Sequence, residues 1–348
     1  MNEALLAITL VWGFIFLYAI MASMDFGAGF WAMIYIKKEH TNATKIANSY
    51  LSPTWEVTNT FVVGLVIAIY SLFPGAVFSI GVALIVPASL ILLLLCIRSA
   101  FLVFSHSLDK YAKMLTYISG ITGLIIPGLL ISVLPITHLG FLENVGGNEE
   151  LNLVKLFTSA NEYAFLGFGI LSTLFLSSLL LSDYSKQADE LKSYKIYRRD
   201  AMITGPLVLI MAFLVMFTLK KEASWIYEGM MENSTLLLVS LIFFIISGVA
   251  LYLPYFSKQE VKGMPRLAVI AIIIQYMIGS YVYGVAHLPY IIYPNVRIME
   301  AFTDPTSFRA VFATYIVGFA ILVPGFYYFW SIFMKDQRRK FKKRNISN

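Results

Sequence analysis

In MASMDFGAGFW, residues 21–31, a carboxylate, Asp25, stands in an apolar run from Ala4 to Ile36 that holds no other charge, with Gly27 and Gly29 just after it. An acid at mid-membrane depth costs ~2.5–3.5 kcal/mol on insertion scales, so by default it faces a bundle interior or aqueous cavity and serves as a proton or ligand site. The structural alternative is a protonated or hydrogen-bonded Asp that satisfies backbone freed by a kink at the glycines. A second acid, Glu56 in SPTWEVTNTF, follows Pro53, which places it in the first turn of a second helix. An acid there is favoured by ~0.3–1 kcal/mol through the helix dipole, which alone would explain it. Yet helix 1 ends and helix 2 begins on the same side, a short loop apart, so Asp25 and Glu56 can approach each other. Two carboxylates at one membrane face, the deeper one desolvated, form a proton relay whose outer member captures protons from the cytoplasm.

Other candidates read more plainly. Arg98, at the end of the third apolar run, snorkels to the inner interface or supplies a counter-charge near Glu56. His40 and His106 fall in cytoplasmic loops, His138 in an outer loop and His287 at the outer end of a helix. None is expected to ligate haem, and the methionines read as packing. The single cysteine, Cys96, excludes an internal disulfide, a thiolate metal cluster and c-type haem attachment. Asn161 and Glu162 read as the cap and first turn of helix 5, and Gln275 as a hydrogen bond between helices.

The elements that must hold these residues follow from composition. The chain has 348 residues, 59% hydrophobic and only 13% charged, with mean hydropathy +0.76. A soluble domain carries about a quarter charged residues, and long apolar stretches recur throughout, so this is an all-α integral membrane protein in a single polytopic domain, 1–348. Nine spans are expected at about 4–36, 57–74, 77–104, 112–136, 159–182, 201–219, 233–256, 266–287 and 309–334. Two four-helix bundles plus one peripheral helix would pack them. At ~1.5 Å per residue the first run is ~50 Å long against a ~30 Å hydrocarbon core, so a bend is expected at Gly27–Gly29. MNEALL lacks the basic n-region of a signal peptide. Of the basic residues, only Lys155, Lys220, Lys221, Arg297 and Arg309 fall on one side; all others, including the tail KDQRRKFKKR, fall on the opposite side. That asymmetry puts the N-terminus outside and the C-terminus in the cytoplasm. The tail is then a topology marker, and no nucleic-acid partner is implied. The segments 137–158, 220–232 and 288–308 are external and loop-like.

With these residues in place, MDFGAGFW, PTWEVTNTFVV, CIRSAF, HLPYIIYPNVRIMEAFTDPTSFR and VPGFYYFWSIF resemble subunit II of cytochrome bd-type quinol oxidases, in order and nearly end to end. The resemblance implies a respiratory quinol:oxygen oxidoreductase of the bacterial cell membrane, with this chain free of haem. It implies a partner, the homologous nine-helix subunit I, which carries haem b and haem d and the external quinol-oxidising loop; some members add a small third subunit. It matches Asp25 to the acid nearest the glycines in D-G-F-D-[LM]-G-x-G. It also sets Glu56 where W-D-G-N has aspartate, after the matching Trp55. Both acids are associated with proton access to the haem site, and Trp55 and Arg98 would support the path. Arg98 opens the family's R-P-V-G-F motif. Ala22, Val57, Thr58 and Ser99 depart from the three motifs, which suggests a divergent, Gram-positive-like branch. The competing class is a proton-coupled secondary transporter that uses Asp25. Such transporters show paired broken helices, whereas this chain offers one break, beside Asp25. A third reading is a structural scaffold for a catalytic partner.

Overall fold

A segment whose only charges are Glu3 and Asp25 can hide its backbone in a bilayer only by closing its hydrogen bonds within a helix. In the computed structural model this helix, α1, runs Asn2–Ile34 without interruption. Described are residues 2–105, 112–146, 148–253 and 263–346, with the backbone alone at 2, 39, 50–57, 101–105, 112, 326, 329, 330 and 332–346. The expected break at Gly27–Gly29 is absent, because these glycines admit neighbouring atoms rather than end the helix. A Cβ at Gly27 would lie 2.1 Å from Ser177 Oγ.

Helix α2, Ala43–Leu72, begins well before the apolar run read at 57–74. Glu56 and Trp55 therefore lie inside a helix rather than in its first turn, and their side chains fall outside the described residues. The early turns of α2 are polar and held by distant partners: the Tyr197 hydroxyl donates to Ala43 O at 2.8 Å, and the Thr44 hydroxyl to Ala32 O at 3.0 Å. Then follow α3, Val77–Ser105, α4, Ala112–Ile131, and the short α5, Val133–His138. Pro135 lacks an amide hydrogen, and the chain shifts at Ser132.

The segment read as an external loop forms an antiparallel hairpin, β1 Leu142–Val145 with β2 Asn148–Leu151, in register Leu142 opposite Leu151. Gly146 takes the positive φ of 62° that the turn requires. Next come α6, Leu153–Thr158, α7, Ala160–Gln187, and α8, Leu191–Glu222, longer at both ends than the run read at 201–219. They are followed by α9, Ser224–Glu232, α10, Ser234–Tyr252, and α11, Pro265–His287. A second small hairpin, β3 Tyr290–Ile292 with β4 Val296–Arg297, and the short α12, Ile298–Ala301, lead into α13, Pro305–Ile346.

Helix α1 is central: it packs on α2, α4 and α7, while α3 pairs with α4, α7 with α8, and α10 with α11. The α13 helix lies against α2 and is tied to α1 by Arg309–Glu3 at 2.9 Å. Among the described residues, eight helices are long and apolar enough to cross a membrane; the apolar part of α2, Thr58–Leu72, is shorter. The turns around α5, α9 and β3 gather at one end. There the Tyr293 amide donates to Thr137 O at 2.8 Å, and Trp225 stacks on Tyr293 with centroids 4.5 Å apart.

Candidate functional site

Helix α1 carries Asp25 to a level where α3 and α4 both pass, and Asp25 and Arg98 are 4% and 2% exposed. Arg98 Nη2 stands 3.5 Å from Asp25 Oδ1 and donates to the Asp25 carbonyl at 3.0 Å. Its Nη1 donates to the carbonyl and hydroxyl of Ser119, on α4, at 2.6 and 3.0 Å. The guanidinium also lies 5.2 Å from the Phe26 ring centroid. Neutral acceptors thus hold the cation, while the carboxylate meets it only at ion-pair distance. Asp25 Oδ1 and Arg98 Nε are buried with no hydrogen-bond partner among the described residues. Each such atom costs about 1–3 kcal/mol, and its persistence asks for a reason beyond folding.

The snorkelling expected of Arg98 is corrected here: the side chain turns inward. Glycines make the room. A Cβ at Gly29 would sit 2.9 Å from Arg98 Nη1 and from Ser119 Oγ, and one at Gly123 would sit 2.4 Å from Phe26 O. Gly29 and Gly123 therefore shape an arginine socket, while Gly27 admits Ser177 of α7. Helices in lipid associate through packing and polar contacts rather than the hydrophobic effect, so small residues are needed at such a crossing. Ser119 and Gly123 were not singled out from sequence; their signal, a small-residue pattern S-G-I-T-G, is common in membrane helices.

Two further polar clusters escaped sequence reasoning. Past the end of α1, the Tyr35 hydroxyl donates to Asp200 Oδ2 at 2.5 Å and accepts from Arg199 Nη2 at 2.9 Å. Asp200 is itself buried, on α8. At the other end, His138, read in an outer loop, closes the short helix α5 and is fully buried. Its Nδ1 lies 2.7 Å from the Tyr283 hydroxyl and its Nε2 3.0 Å from Asn161 Oδ1. Asn161 Nδ2 donates to Thr218 Oγ1 at 3.0 Å, so Oδ1 faces the imidazole. An amide oxygen accepts, so it takes a hydrogen bond from Nε2–H. Ser159, not Asn161, caps α7, accepting from the Glu162 amide at 3.1 Å. Glu162 is buried and takes a hydrogen bond from Ser132.

Haem ligation would need an available imidazole. Both nitrogens of His138 are engaged, whereas His287 donates through Nε2–H to Ile291 O, 3.3 Å away, and its buried Nδ1 has no hydrogen-bond partner among the described residues. The His287 ring lies between Trp225 and Tyr283, at 5.7 Å from each centroid. His40 is exposed in a single turn, and His106 lies outside the described residues. No three or more His, Cys, Asp or Glu among the described residues group to hold a metal. The Gln275 amide does bridge helices, donating to Ser240 Oγ at 3.2 Å.

Comparison with known proteins adds the identity of the fold. The chain is similar to a protein of Bacillus subtilis (strain 168) named as a cytochrome bd menaquinol oxidase subunit II. They are 57% identical over 337 residues, 97% of each chain. It is similar also to a chain in the structure of bd oxidase from Geobacillus thermodenitrificans, with TM-score 0.81 and 31% identity over 96% of this chain and 99% of that one. The family model for cytochrome bd terminal oxidase subunit II matches residues 3–333. With the match spanning nearly every element described above, the chain belongs to the cytochrome bd terminal oxidase subunit II family and is a subunit of a quinol:oxygen oxidoreductase.

Proposed function

We propose that this subunit supports a haem-bearing subunit I and supplies, through Asp25, part of a cytoplasmic proton path for the reduction of oxygen to water. The observation that carries the reading is the Asp25–Arg98 pair, buried at 3.5 Å with a carboxylate oxygen that lacks a hydrogen-bond partner among the described residues. A pair kept only for stability would replace its desolvation with well-aimed hydrogen bonds. Here the guanidinium spends its donors on carbonyl and hydroxyl groups, and the carboxylate stays able to take and pass a proton. Arg98 limits the charge that builds at Asp25, while the glycine socket keeps the two groups in register. Glu56, with Trp55 beside it, is the entry member. The haems, in the partner, supply the electron transfer and oxygen chemistry; the work of this chain is to hold and move a proton at the Asp25 carboxyl.

In the same reading nine helices cross the bacterial membrane, with the N-terminus outside and the basic C-terminus in the cytoplasm. The pairings of α1 to α4 and of α7, α8, α10 and α11 favour two four-helix bundles with α13 peripheral, in one polytopic domain. Menaquinol is the substrate suggested by the Bacillus subtilis relative, and subunit I the partner, with a small third subunit in some assemblies. The uninterrupted α1 removes the half-helix break on which a transporter reading would rest.

Proton uptake tests the proposal. In the reconstituted oxidase, a flash-started single turnover should alkalinise the cytoplasmic-side medium quickly for wild type and at least tenfold more slowly for Asp25→Asn. Unchanged uptake kinetics would refute the assignment.

A further inference from the structure

Lys37 and Lys113 share a surface cavity of about 250 Å³, whose other lining residues are Ile36 and Tyr117. Lys37 lies just past the end of α1 and Lys113 at the start of α4, so the cavity sits where two membrane-length helices end. That is headgroup depth on whichever side it faces. Neither lysine has an acidic partner among the described residues, whose ion pairs are Arg98–Asp25, Lys155–Glu143, Arg199–Asp200, Arg266–Asp183 and Arg309–Glu3. Two like charges at one cavity repel unless an anion joins them. Sites for drug-sized ligands run ~300–1,000 Å³, so this one is the size of a headgroup. A second feature continues from it. Met114, Tyr117, Ile121 and Ile125 are 51%, 40%, 50% and 43% exposed. Spaced three to four residues apart, they form one apolar track down α4 from the cavity.

We propose that this cavity binds the phosphate of an anionic phospholipid, with Lys37 and Lys113 as counter-charges and the acyl chains along the α4 track. The chemistry recognised is a phosphate oxygen, and the track commits the site to a lipid rather than to free phosphate. A bound lipid there would brace α4 two residues from Ser119, the acceptor that holds Arg98.

The test is native mass spectrometry of the purified oxidase complex, stripped of lipid and offered dioleoylphosphatidylglycerol or dioleoylphosphatidylcholine. Wild type should retain one more phosphatidylglycerol than Lys37→Gln/Lys113→Gln, whose retention should be roughly 30-fold weaker. Phosphatidylcholine should not distinguish them, Lys37→Arg/Lys113→Arg should keep the lipid, and excess inorganic phosphate should leave it bound. Equal phosphatidylglycerol retention by wild type and the double glutamine variant would overturn the proposal. So would displacement by inorganic phosphate, which indicates a free-phosphate site. Loss of the partner subunit from the glutamine variant would make the face a subunit interface and overturn it equally.

Discussion

Removing Arg98 strands Asp25 as an uncompensated buried charge, a change that costs about 3–5 kcal/mol in comparable pairs, whereas Arg98 keeps the Ser119 and Asp25 carbonyls as acceptors when Asp25 loses its charge. Arg98→Met should therefore lower the yield of assembled, haem-replete oxidase. Adding Asp25→Leu should restore assembly, since an apolar replacement of the whole pair is often neutral, while turnover stays low. Size-exclusion yield and haem absorbance of the two variants check this; equal yields would mean the pair is solvated in the complex. Gly29→Ala probes the socket itself. Its Cβ would press on Arg98 Nη1 and Ser119 Oγ at 2.9 Å, and overpacking of this kind costs about 1–3 kcal/mol, read as a lower melting temperature of the complex. Asp25 was legible in the sequence because a charge in an apolar run needs no partner to be noticed. Arg98 was misread because its environment is made by Gly29, Ser119 and Gly123 on two other helices, and no local spacing reports a contact between helices. For the same reason Asp200, at the start of an apolar run, gave no hint of its bond to Tyr35.

Helices are held at their ends by contacts of a different kind. Glu222, at the end of α8, accepts from the Ser159 hydroxyl at 2.6 Å and from the Ala160 amide at 3.0 Å. It thus caps the N-terminus of α7 from a neighbouring helix. Glu222→Ala should destabilise that junction by about 1–2 kcal/mol, and hydrogen exchange should quicken at residues 160–162 while the rest of α7 stays protected. The β1–β2 hairpin should respond to acid. Lys155 and Asn152 hydrogen bonds hold the Glu143 carboxyl below its ordinary 4.5. A depressed acid stabilises the fold above its ordinary value and loses that contribution as pH falls through the folded one. Protection factors across residues 142–151, corrected for intrinsic exchange, should therefore fall as pH drops below 4.5 and hold level from pH 5 to 8. The existence of the long helices was readable from apolar runs, because lipid leaves the backbone no alternative. The start of α2 was not: ATKIANSY is polar, Pro53 suggested a boundary, and the turns are fastened by Tyr197 and Thr44 through tertiary contacts.

At the scale of the molecule, the charge asymmetry predicts opposite exposure for the two ends of the C-terminal half. A reporter inserted at Gly146, where nothing lies within 4 Å of an added Cβ, should be external, and one fused after Asn348 cytoplasmic. Both on one side would contradict five crossings by α7, α8, α10, α11 and α13. Family membership rests on a match from residue 3 to 333, which the ordered motifs had indicated, while the gathering of turns around His138 and Trp225 was invisible before the fold. The central claim, that Asp25 moves protons for the whole complex, is tested most directly by oxygen consumption per haem. Asp25→Asn keeps the shape and a hydrogen-bonding amide but has no carboxyl proton to exchange. The account predicts haem content close to wild type with turnover per haem reduced at least tenfold across pH 6 to 8, and a smaller loss for Glu56→Gln. Wild-type turnover per haem in Asp25→Asn would contradict it and leave the carboxylate a structural partner of Arg98.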